Sequence, residues 1–267
     1  MISVVVCARN EADRIGGCLD AIVATGDADE IIVVDGASTD KTIVVAATHG
    51  AQRIIISREP SLPGDRQLGI DSAHGDWIAL VDADHRITPG DLTALRDACI
   101  DNGWVIAQAG LRTADRSFWN RAESSFLALT HNTPGERDMV GVAPAVFHRD
   151  LFRLVRFAES GTGGGDDTDL LYRLKRDTSC RVGIADTVVL TDHAPRLADY
   201  VRKWRWYGKA DAAFGRTNPE RRRSMLFHLL VRYPIQYPVR ALRTGHLRAA
   251  PYAIAQGLVR ASCFIKS

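Results

Sequence analysis

The chain has 267 residues, of which 46% are hydrophobic and 25% are charged, as in an ordinary globular protein. No apolar run approaches the roughly 20 residues of a membrane-spanning helix. The five cysteines are scattered without a CxxC pair, which argues against a disulfide framework or a zinc site. We therefore expect a cytoplasmic protein without a secretory leader.

The net charge of +2 hides a strong asymmetry between the two ends of the chain. Residues 1–195 hold 19 basic and 29 acidic side chains, a balance of −10, whereas residues 196–267 hold 15 and 3, a balance of +12. This distribution predicts a basic C-terminal region that contacts something anionic.

The first hundred residues alternate strand and helix patterns. Apolar runs predict strands at residues 2–7, 31–34, 53–56 and 77–81. Helical patterns lie between them, with Asn10 as the expected N-cap of the first helix and Thr88-Pro89 as the expected start of the one that ends at Gly103. Such repeats predict an α/β fold, a mostly parallel sheet flanked by helices.

Beyond Trp104 the pattern is weaker but still mixed. It predicts a strand to Gly110, a helix over 117–130, a glycine-rich loop at 161–165 and a helix that begins with Asp166 and Asp167. We divide the chain into an α/β half at 1–105, a second half of the same domain at 106–195 and a helical, basic extension at 196–267.

Three polar clusters follow predicted strands: ARNE (8–11), DGASTD (35–40) and DADH (82–85). Ligands of such sheets bind outside the carboxyl ends of the strands, so the clusters predict a single crevice. Asp82 and Asp84 need a positive partner if they are buried, which could be Arg, Lys or a divalent metal ion. The alternative is a pair of solvated carboxylates in a turn.

Five segments occur together in a recognisable order: SVVVCARNE, EIIVVDGASTDKT, DRQLGIDSAHGDWIALVDADH, GDDTDLLYRL and DHAPRLADYVRKWRWYGKA. In order and rough spacing they resemble the family 2 glycosyltransferases over about residues 2–210. The resemblance implies the GT-A fold, a nucleotide-diphosphate sugar as donor, Mn²⁺ or Mg²⁺ as cofactor, and inversion at the anomeric carbon.

The resemblance also implies roles for particular residues. Its nucleotide-sugar site would comprise Ala8, Arg9, Glu11, Asp35, Arg66, Asp82 and Ala83. Asp84 matches the direct metal ligand and His193 a histidine that reaches the metal or the diphosphate, while Asp167 matches the catalytic base.

Several of these assignments have structural alternatives. Asp166 and Asp167 could simply cap a helix, and His193 could be a structural histidine. The chain also departs from the family pattern at Ala37, at Asp65 and in the Asp-Asp pair that replaces Glu-Asp. The last departure leaves open which of the two aspartates acts on the acceptor, and we favour Asp167.

Residues 202–260 interleave arginine with aromatic and aliphatic residues. Such a segment can lie on a membrane surface, here the inner face of the plasma membrane, or bind an acceptor that carries phosphate. It can also be a helical extension whose arginines pair internally with the acidic part of the chain. No nucleic-acid-binding module accompanies the charge, so we expect no nucleic-acid partner.

The sequence thus predicts an inverting, metal-dependent glycosyltransferase that uses a UDP- or GDP-sugar. The acceptor is an open choice that includes lipid-linked molecules. A sugar nucleotidyltransferase is the nearest alternative enzyme, but CARNEAD lacks the glycine-rich loop that such an enzyme would need after its first strand. A scaffold protein with a decayed site is the non-enzymatic alternative.

Overall fold

The computed structural model describes residues 1–158, 164–192 and 196–266. Its strands are β1 (Ile2–Ala8), β2 (Glu30–Asp35), β3 (Arg53–Ile56), β4 (Trp77–Asp82), β5 (His85–Arg86), β6 (Trp104–Thr113), β7 (Gly135–Arg137), β8 (Ala145–His148) and β9 (Arg181–Thr191). Its α-helices are α1 (Ala12–Thr25), α2 (Thr42–Thr48), α3 (Leu62–Ser72), α4 (Asp91–Asn102), α5 (Phe118–Thr130), α6 (Leu151–Leu154), α7 (Asp166–Asp177), α8 (Leu197–Thr217), α9 (Arg222–Phe227), α10 (Tyr237–Arg243) and α11 (Ala249–Ile265).

The strands of the described residues form one sheet in the order β3-β2-β1-β4-β8-β6-β9-β5, and β7 pairs with β9. The pairs β2–β3, β1–β2 and β1–β4 are parallel. These four strands are the ones that the apolar runs predict, because parallel strands are covered by helices on both faces. The pairs β4–β8, β6–β8, β5–β9 and β7–β9 are antiparallel. The α/β class expected from the sequence is confirmed, as a mixed sheet.

The parallel register brings three strand ends to one edge of the sheet. Ala8 at the end of β1 lies opposite Asp35 at the end of β2. On the other side of β1, Cys7 lies opposite Asp82 at the end of β4. The polar segments that follow these strands therefore start side by side.

Two helix starts differ from the sequence prediction. Asn10 does not cap α1; it has a φ of 56°, and its Oδ1 accepts a hydrogen bond from the backbone N–H of Thr39 at 2.8 Å. The Asn10 side chain therefore ties the loop after β1 to the loop after β2. The N-cap of α4 is Gly90, and Thr88 instead donates from its N–H and its hydroxyl to Asp91 Oδ2 at 2.7 and 2.8 Å. Local pattern cannot distinguish these arrangements from ordinary caps.

The described residues fall into two compact units. Unit 1 contains residues 1–110, 133–158 and 166–192, and unit 2 contains residues 111–132, 164–165 and 196–266. Unit 1 has a core of aliphatic strand residues packed against side chains of α6 and α7. Unit 2 has a separate, aromatic-rich core, whose larger members include Phe126, Tyr200, Trp204, Tyr233, Tyr252 and Phe264.

In unit 2, α11 packs against α5, α8 and the π-helical segment His228–Gln236. The buried carboxylate of Glu123 accepts hydrogen bonds from the hydroxyls of Tyr200 at 2.8 Å and Tyr252 at 2.9 Å, which joins α5, α8 and α11 through polar contacts. Among the described helices, none is both long enough and apolar enough to cross a bilayer.

Candidate active site

Arg66 of α3 joins two of the acidic motifs within unit 1. One guanidinium nitrogen donates to Asp82 Oδ1 at 2.9 Å, and another donates to Asp166 Oδ2 at the start of α7. The side chains of Arg66 and Asp166 are each only 6% exposed. Burial lowers the pKa of Arg66, but the carboxylates of Asp166 and Asp82 outweigh this effect and raise the pKa above its usual range. Arg66 is therefore the positive partner that the buried Asp166 requires, and it also pairs with the Asp82 side chain, which is 41% exposed.

Asp84 lies on the turn between β4 and β5. Because β5 pairs with β9, this turn is held in place. Asp84 Oδ2 accepts a hydrogen bond from the Thr191 hydroxyl at 3.1 Å, and the backbone carbonyl of Asp84 accepts one from the Asp192 N–H at 2.7 Å. Ligand atoms of Asp82, Asp84 and His85 all lie within 4.8 Å of one another. Carboxylate oxygens are the donors that Mn²⁺ and Mg²⁺ prefer, so this group of residues could hold either ion.

The hydrogen bonding of His85 separates its role from that of the two carboxylates. The backbone N–H of Asp82 donates to His85 Nδ1 at 3.0 Å, so the neutral ring carries its proton on Nε2. That nitrogen lies 3.9 Å from Asp84 Oδ1. In this tautomer neither ring nitrogen has a free lone pair, which leaves the carboxylate oxygens as the metal donors. The buried imidazole instead braces the turn that carries them.

Glu11 completes the acidic surroundings of this turn. Its carboxylate accepts a hydrogen bond from Arg14 Nε at 2.6 Å. Burial raises the pKa of Glu11 against the opposing effect of Arg14, and the charges of Asp84 and Asp82 raise it further. A cation placed among these carboxylates would relieve their mutual repulsion.

Asp35, at the end of β2, is a buried carboxylate that can accept a further hydrogen bond. Asp35 is 1% exposed, and its Oδ2 accepts a hydrogen bond from the backbone N–H of Ser38 at 2.9 Å. Its Oδ1 is buried and has no hydrogen-bond partner among the described residues. A buried acceptor without a partner costs free energy unless a ligand supplies a donor, and this makes Asp35 a candidate ligand contact.

Asp65 lies beside this corner. A Cβ built on Gly36, the residue after Asp35, would come within 3.0 Å of Asp65 Oδ2 and 3.4 Å of Arg9 Cβ. Burial raises the pKa of Asp65, and its Oδ1 has no partner within the part of the chain that the structure describes. The loop after β2 therefore approaches Asp65 so closely that a side chain at position 36 would press on its carboxylate, which would have to shift by a few tenths of an ångström.

The two aspartates at the start of α7 have different surroundings. Asp166 is held by Arg66, whereas Oδ1 of Asp167 accepts hydrogen bonds from the N–H of Thr168 at 2.6 Å and its hydroxyl at 3.3 Å. Burial and the negative charge of Asp166 together raise the pKa of Asp167 to about 6. A carboxyl group with this pKa can take up a proton near neutral pH.

Most residues singled out in the sequence lie at this edge of unit 1. Ala8 and Ala83 are buried beside the strand ends, and Arg9 is exposed. His193 and residues 161–163 of the glycine-rich loop lie outside the described residues, so their predicted roles stay predictions.

The sequence analysis missed His85 and Asp65 as members of the site. His85 appears in DADH, but its role depends on a backbone N–H three residues earlier that aims at its ring. Asp65 is noticeable in the sequence only as an unusual residue before Arg66. Its importance comes from the approach of the β2 loop, which is a tertiary contact.

The comparisons with known proteins agree with this arrangement. The family model described as glycosyl transferase family 2 matches residues 3–155, which is more than half of the chain. Among curated proteins, the succinoglycan biosynthesis protein ExoO of Rhizobium meliloti is 36% identical over 110 residues, which cover 40% of this chain and 32% of that protein. The first curated relatives match over only 29–41% of their own length.

Two solved structures illustrate the likeness in fold. Mannosyl-3-phosphoglycerate synthase from Rubrobacter xylanophilus has a TM-score of 0.60 at 22% identity, over 82% of this chain and 75% of that chain. Glucosyl-3-phosphoglycerate synthase from Mycobacterium tuberculosis, in complex with Mn²⁺, UDP-glucose and phosphoglyceric acid, has a TM-score of 0.54 at 22% identity, over 78% and 77% of the two chains. From the family match and the shared GT-A fold, the chain belongs to glycosyl transferase family 2.

Proposed function

We propose that the chain is an inverting glycosyltransferase that moves a sugar from a nucleotide-diphosphate sugar to a hydroxyl or phosphate oxygen of an acceptor. The observation that carries this proposal is the contact of Arg66 with both Asp82 and Asp166. This contact joins the motif at the end of β4 to the start of α7, so that donor-binding and proton-accepting groups share one site in unit 1.

The nucleotide would lie along the ends of β1 and β2. Asp35 has a buried oxygen without a partner among the described residues, which suits a hydrogen bond from an N–H of the base. Ala8, Arg9 and Glu11 would line the same nucleotide. A UDP-sugar is the donor we favour, because the glucosyl-3-phosphoglycerate synthase of similar fold was crystallised with UDP-glucose.

Asp84 and Asp82 would hold a divalent cation, Mn²⁺ or Mg²⁺, through their carboxylate oxygens. When bound, the ion supplies positive charge that neutralises the diphosphate as it leaves. Arg66 holds the Asp82 carboxylate by a hydrogen bond to Oδ1, and the turn braced by His85 keeps Asp84 beside it.

Asp167 would act as the general base. As an acceptor hydroxyl attacks the anomeric carbon from the side opposite the diphosphate, its proton passes to the Asp167 carboxylate and the bond to the diphosphate breaks. A positioned base contributes roughly 10²–10⁴-fold to the rate. Asp166, which is buried against Arg66, is the orienting neighbour in this scheme.

The two alternatives predict different ligand chemistry. A sugar nucleotidyltransferase would bind a nucleoside triphosphate and a sugar phosphate, whereas a glycosyltransferase binds a nucleoside diphosphate and a metal ion. A scaffold protein with a decayed site would bind neither, and the presence of Asp35, Asp82, Asp84 and Asp167 argues against such decay.

A thermal-shift panel tests the proposal directly. UDP, GDP, dTDP and CDP are each added with and without Mn²⁺ to the wild type and to Asp84→Ala. A ligand at a hundred times its dissociation constant stabilises the folded state by about 2.7 kcal/mol, which corresponds to several degrees. We expect one nucleotide, UDP first, to shift the wild type only with metal and to lose this shift in Asp84→Ala.

Asp97→Ala serves as the matched control, since Asp97 lies on α4 with its side chain 53% exposed and paired with Arg96. It should keep the full shift. A flat panel for the wild type under all conditions would contradict the metal–nucleotide site and favour a scaffold. A shift with nucleoside triphosphates alone would favour the nucleotidyltransferase.

A further inference from the structure

We propose that unit 2 binds the surface of an anionic membrane through one exposed side of residues 221–248, a helical run that ends at Arg243 and the turn that follows it. This side, called here the basic apolar face, carries exposed apolar residues and exposed arginines together. Its exposed apolar residues are Phe227, Leu230, Ile235, Val239, Leu242 and Leu247. Four of its exposed arginines are Arg223, Arg240, Arg243 and Arg248.

The helical run has two distinct sides. One side is buried in unit 2 through Leu229, Tyr233 and Ala241. Tyr233 lies so close to α11 that a Cβ built on Gly257 would be 2.4 Å from the Cβ of Tyr233. The side turned away from that core would ordinarily be polar in a globular protein. Here it exposes Leu242 by 64% and Leu247 by 60%.

The apolar residues keep one phase along the run because the helix changes type. From Phe227 to Leu242 their spacing is three or four residues, except for five between Leu230 and Ile235, where the chain is π-helical. Leu247 follows in the turn beyond α10, outside this helical phase. Hydrogen bonds from i to i+5 widen the turn there, so the longer step returns to the same side. The result is a continuous apolar stripe rather than scattered surface residues.

The charge of this region indicates an anionic partner. Residues 221–267 contain eight arginines and one lysine, and they contain no aspartate or glutamate. Arg260 is satisfied internally by Asp211, at 2.8 Å, and belongs to the core of unit 2. Within the described residues, by contrast, Arg223, Arg240, Arg243 and Arg248 form no ion pair with a carboxylate. Internal pairing therefore does not account for these four charges.

The combination of both features favours a lipid surface over other polyanions. A nucleic acid would use the arginines but would leave most of the apolar stripe in water, since stacking on bases needs aromatic side chains and only Phe227 among the six is aromatic. In a membrane interface, the apolar side chains enter the acyl boundary while arginines contact lipid phosphates. Each basic residue near an anionic leaflet strengthens this binding.

The inference is tested by vesicle flotation with the full chain. The vesicles contain phosphatidylcholine alone or phosphatidylcholine with one phosphatidylglycerol in three lipids. We expect the wild type to float with the anionic vesicles only, and to be released as salt screens the charges. Since no donor or acceptor is added, the result is independent of the proposed transferase activity.

Charge-reversal variants locate the surface. Arg240→Glu combined with Arg243→Glu should weaken binding to anionic vesicles by roughly thirtyfold or more. Arg153→Glu combined with Arg176→Glu is the matched control, because it changes the net charge equally at exposed positions of unit 1. Leu242→Gln combined with Leu247→Gln should weaken binding without any change in charge, and Arg240→Lys combined with Arg243→Lys should preserve it. Thermal unfolding of each variant shows whether it is folded.

Three results would overturn the inference. The wild type could stay unbound with anionic vesicles, it could bind neutral vesicles equally well, or the Arg240/Arg243 reversal could lose no more binding than the Arg153/Arg176 control. Binding to heparin or DNA without binding to anionic vesicles would assign the face to a soluble polyanion instead.

Discussion

Arg66 decides how two acidic side chains can share one site. Its buried guanidinium faces Asp82 and Asp166, and all three groups lie in unit 1. Without it, the side chain of Asp166 would be an ionised carboxylate with 6% exposure and no nearby cation. Such a group becomes protonated or destabilises the fold.

Arg66→Gln should therefore lower the free energy of unfolding by about 3–5 kcal/mol, because removing one partner leaves a buried charge uncompensated. Denaturant titration measures this loss. Arg156→Gln is the control, since Arg156 forms an exposed pair with Asp71 that is worth about 0–1 kcal/mol. Adding Asp166→Asn to Arg66→Gln should restore part of the stability. A loss equal to that of the control would mean that the buried pair contributes nothing.

Asp167 gives the proposed reaction a characteristic pH dependence. Its pKa is raised to about 6, and only the ionised form can accept a proton from the acceptor. We expect kcat/KM to be constant above this pKa and to fall about tenfold per pH unit below it. Asp167→Asn should remove roughly 10²–10⁴-fold of the rate and abolish this acid limb. An unchanged limb in Asp167→Asn would assign the titration to another group.

The raised pKa of Asp167 also makes the stability of the fold depend on pH, but stability falls over the pH range in which the rate rises. Because the folded-state pKa of Asp167 exceeds its ordinary value of 3.8, its stabilising contribution is fully present below that ordinary value and is lost as the pH rises through about 6. The gain in melting temperature of Asp167→Asn over wild type should therefore be larger at about pH 8 than at about pH 4. A gain independent of pH would show that the carboxyl group is not perturbed.

At the residue scale, the sequence was informative where chemistry depends on side-chain type. Two aspartates separated by one alanine after an apolar run already indicated a positive partner, if they were buried. The identity of that partner as Arg66 depends on α3 folding over the end of β4, which the sequence does not show. His85 and Asp65 were missed for the same reason.

At the scale of elements, the parallel strands were predictable because each is a short apolar run, and β1, β2 and β4 are buried along most of their length. The helix starts were less predictable. Thr88-Pro89 has the pattern of a cap, yet Thr88 donates to Asp91 and the helix begins after Gly90. Several local arrangements satisfy the same few backbone groups, and small energy differences choose among them.

The contact of α8 with α11 offers a test in which helix propensity and packing oppose each other. A Cβ on Gly208 would lie 2.8 Å from the Arg260 carbonyl oxygen and from Cys263 Cβ. Alanine normally stabilises a helix relative to glycine, but here it must push two helices apart. Gly208→Ala should therefore lower the free energy of unfolding by about 1–3 kcal/mol, as measured by denaturant titration.

Gly17→Ala is the matched control in α1. The atoms nearest to its Cβ would belong to the guanidinium end of the Arg86 side chain, the closest at 3.1 Å, and Gly17 is exposed. This substitution should raise the free energy of unfolding by about 0.5–1 kcal/mol. If both variants gain stability, the close contact between α8 and α11 is absent.

At the scale of the whole molecule, the boundary at which the charge changes sign differs from the boundaries of the two compact units. The charge changes sign near residue 195. The compact units divide elsewhere, because residues 111–132 join the C-terminal helices in unit 2. Phe126 and Glu123 of α5 belong to the aromatic core and polar network of those helices. No local pattern in the sequence of α5 reveals this association.

The sequence by itself determined the α/β class, the acidic motifs at the strand ends and the basic character of the C-terminal region, because these follow from periodicity and residue type. Its five ordered segments also carried the resemblance to the family. Only the tertiary structure decided that Arg66 binds Asp82 and Asp166, that His85 braces the turn of Asp84, and that the apolar stripe of residues 227–247 is exposed. These features depend on contacts between segments far apart in the chain. The free energy of such a contact depends on both segments together, so the local sequence of either one does not predict it.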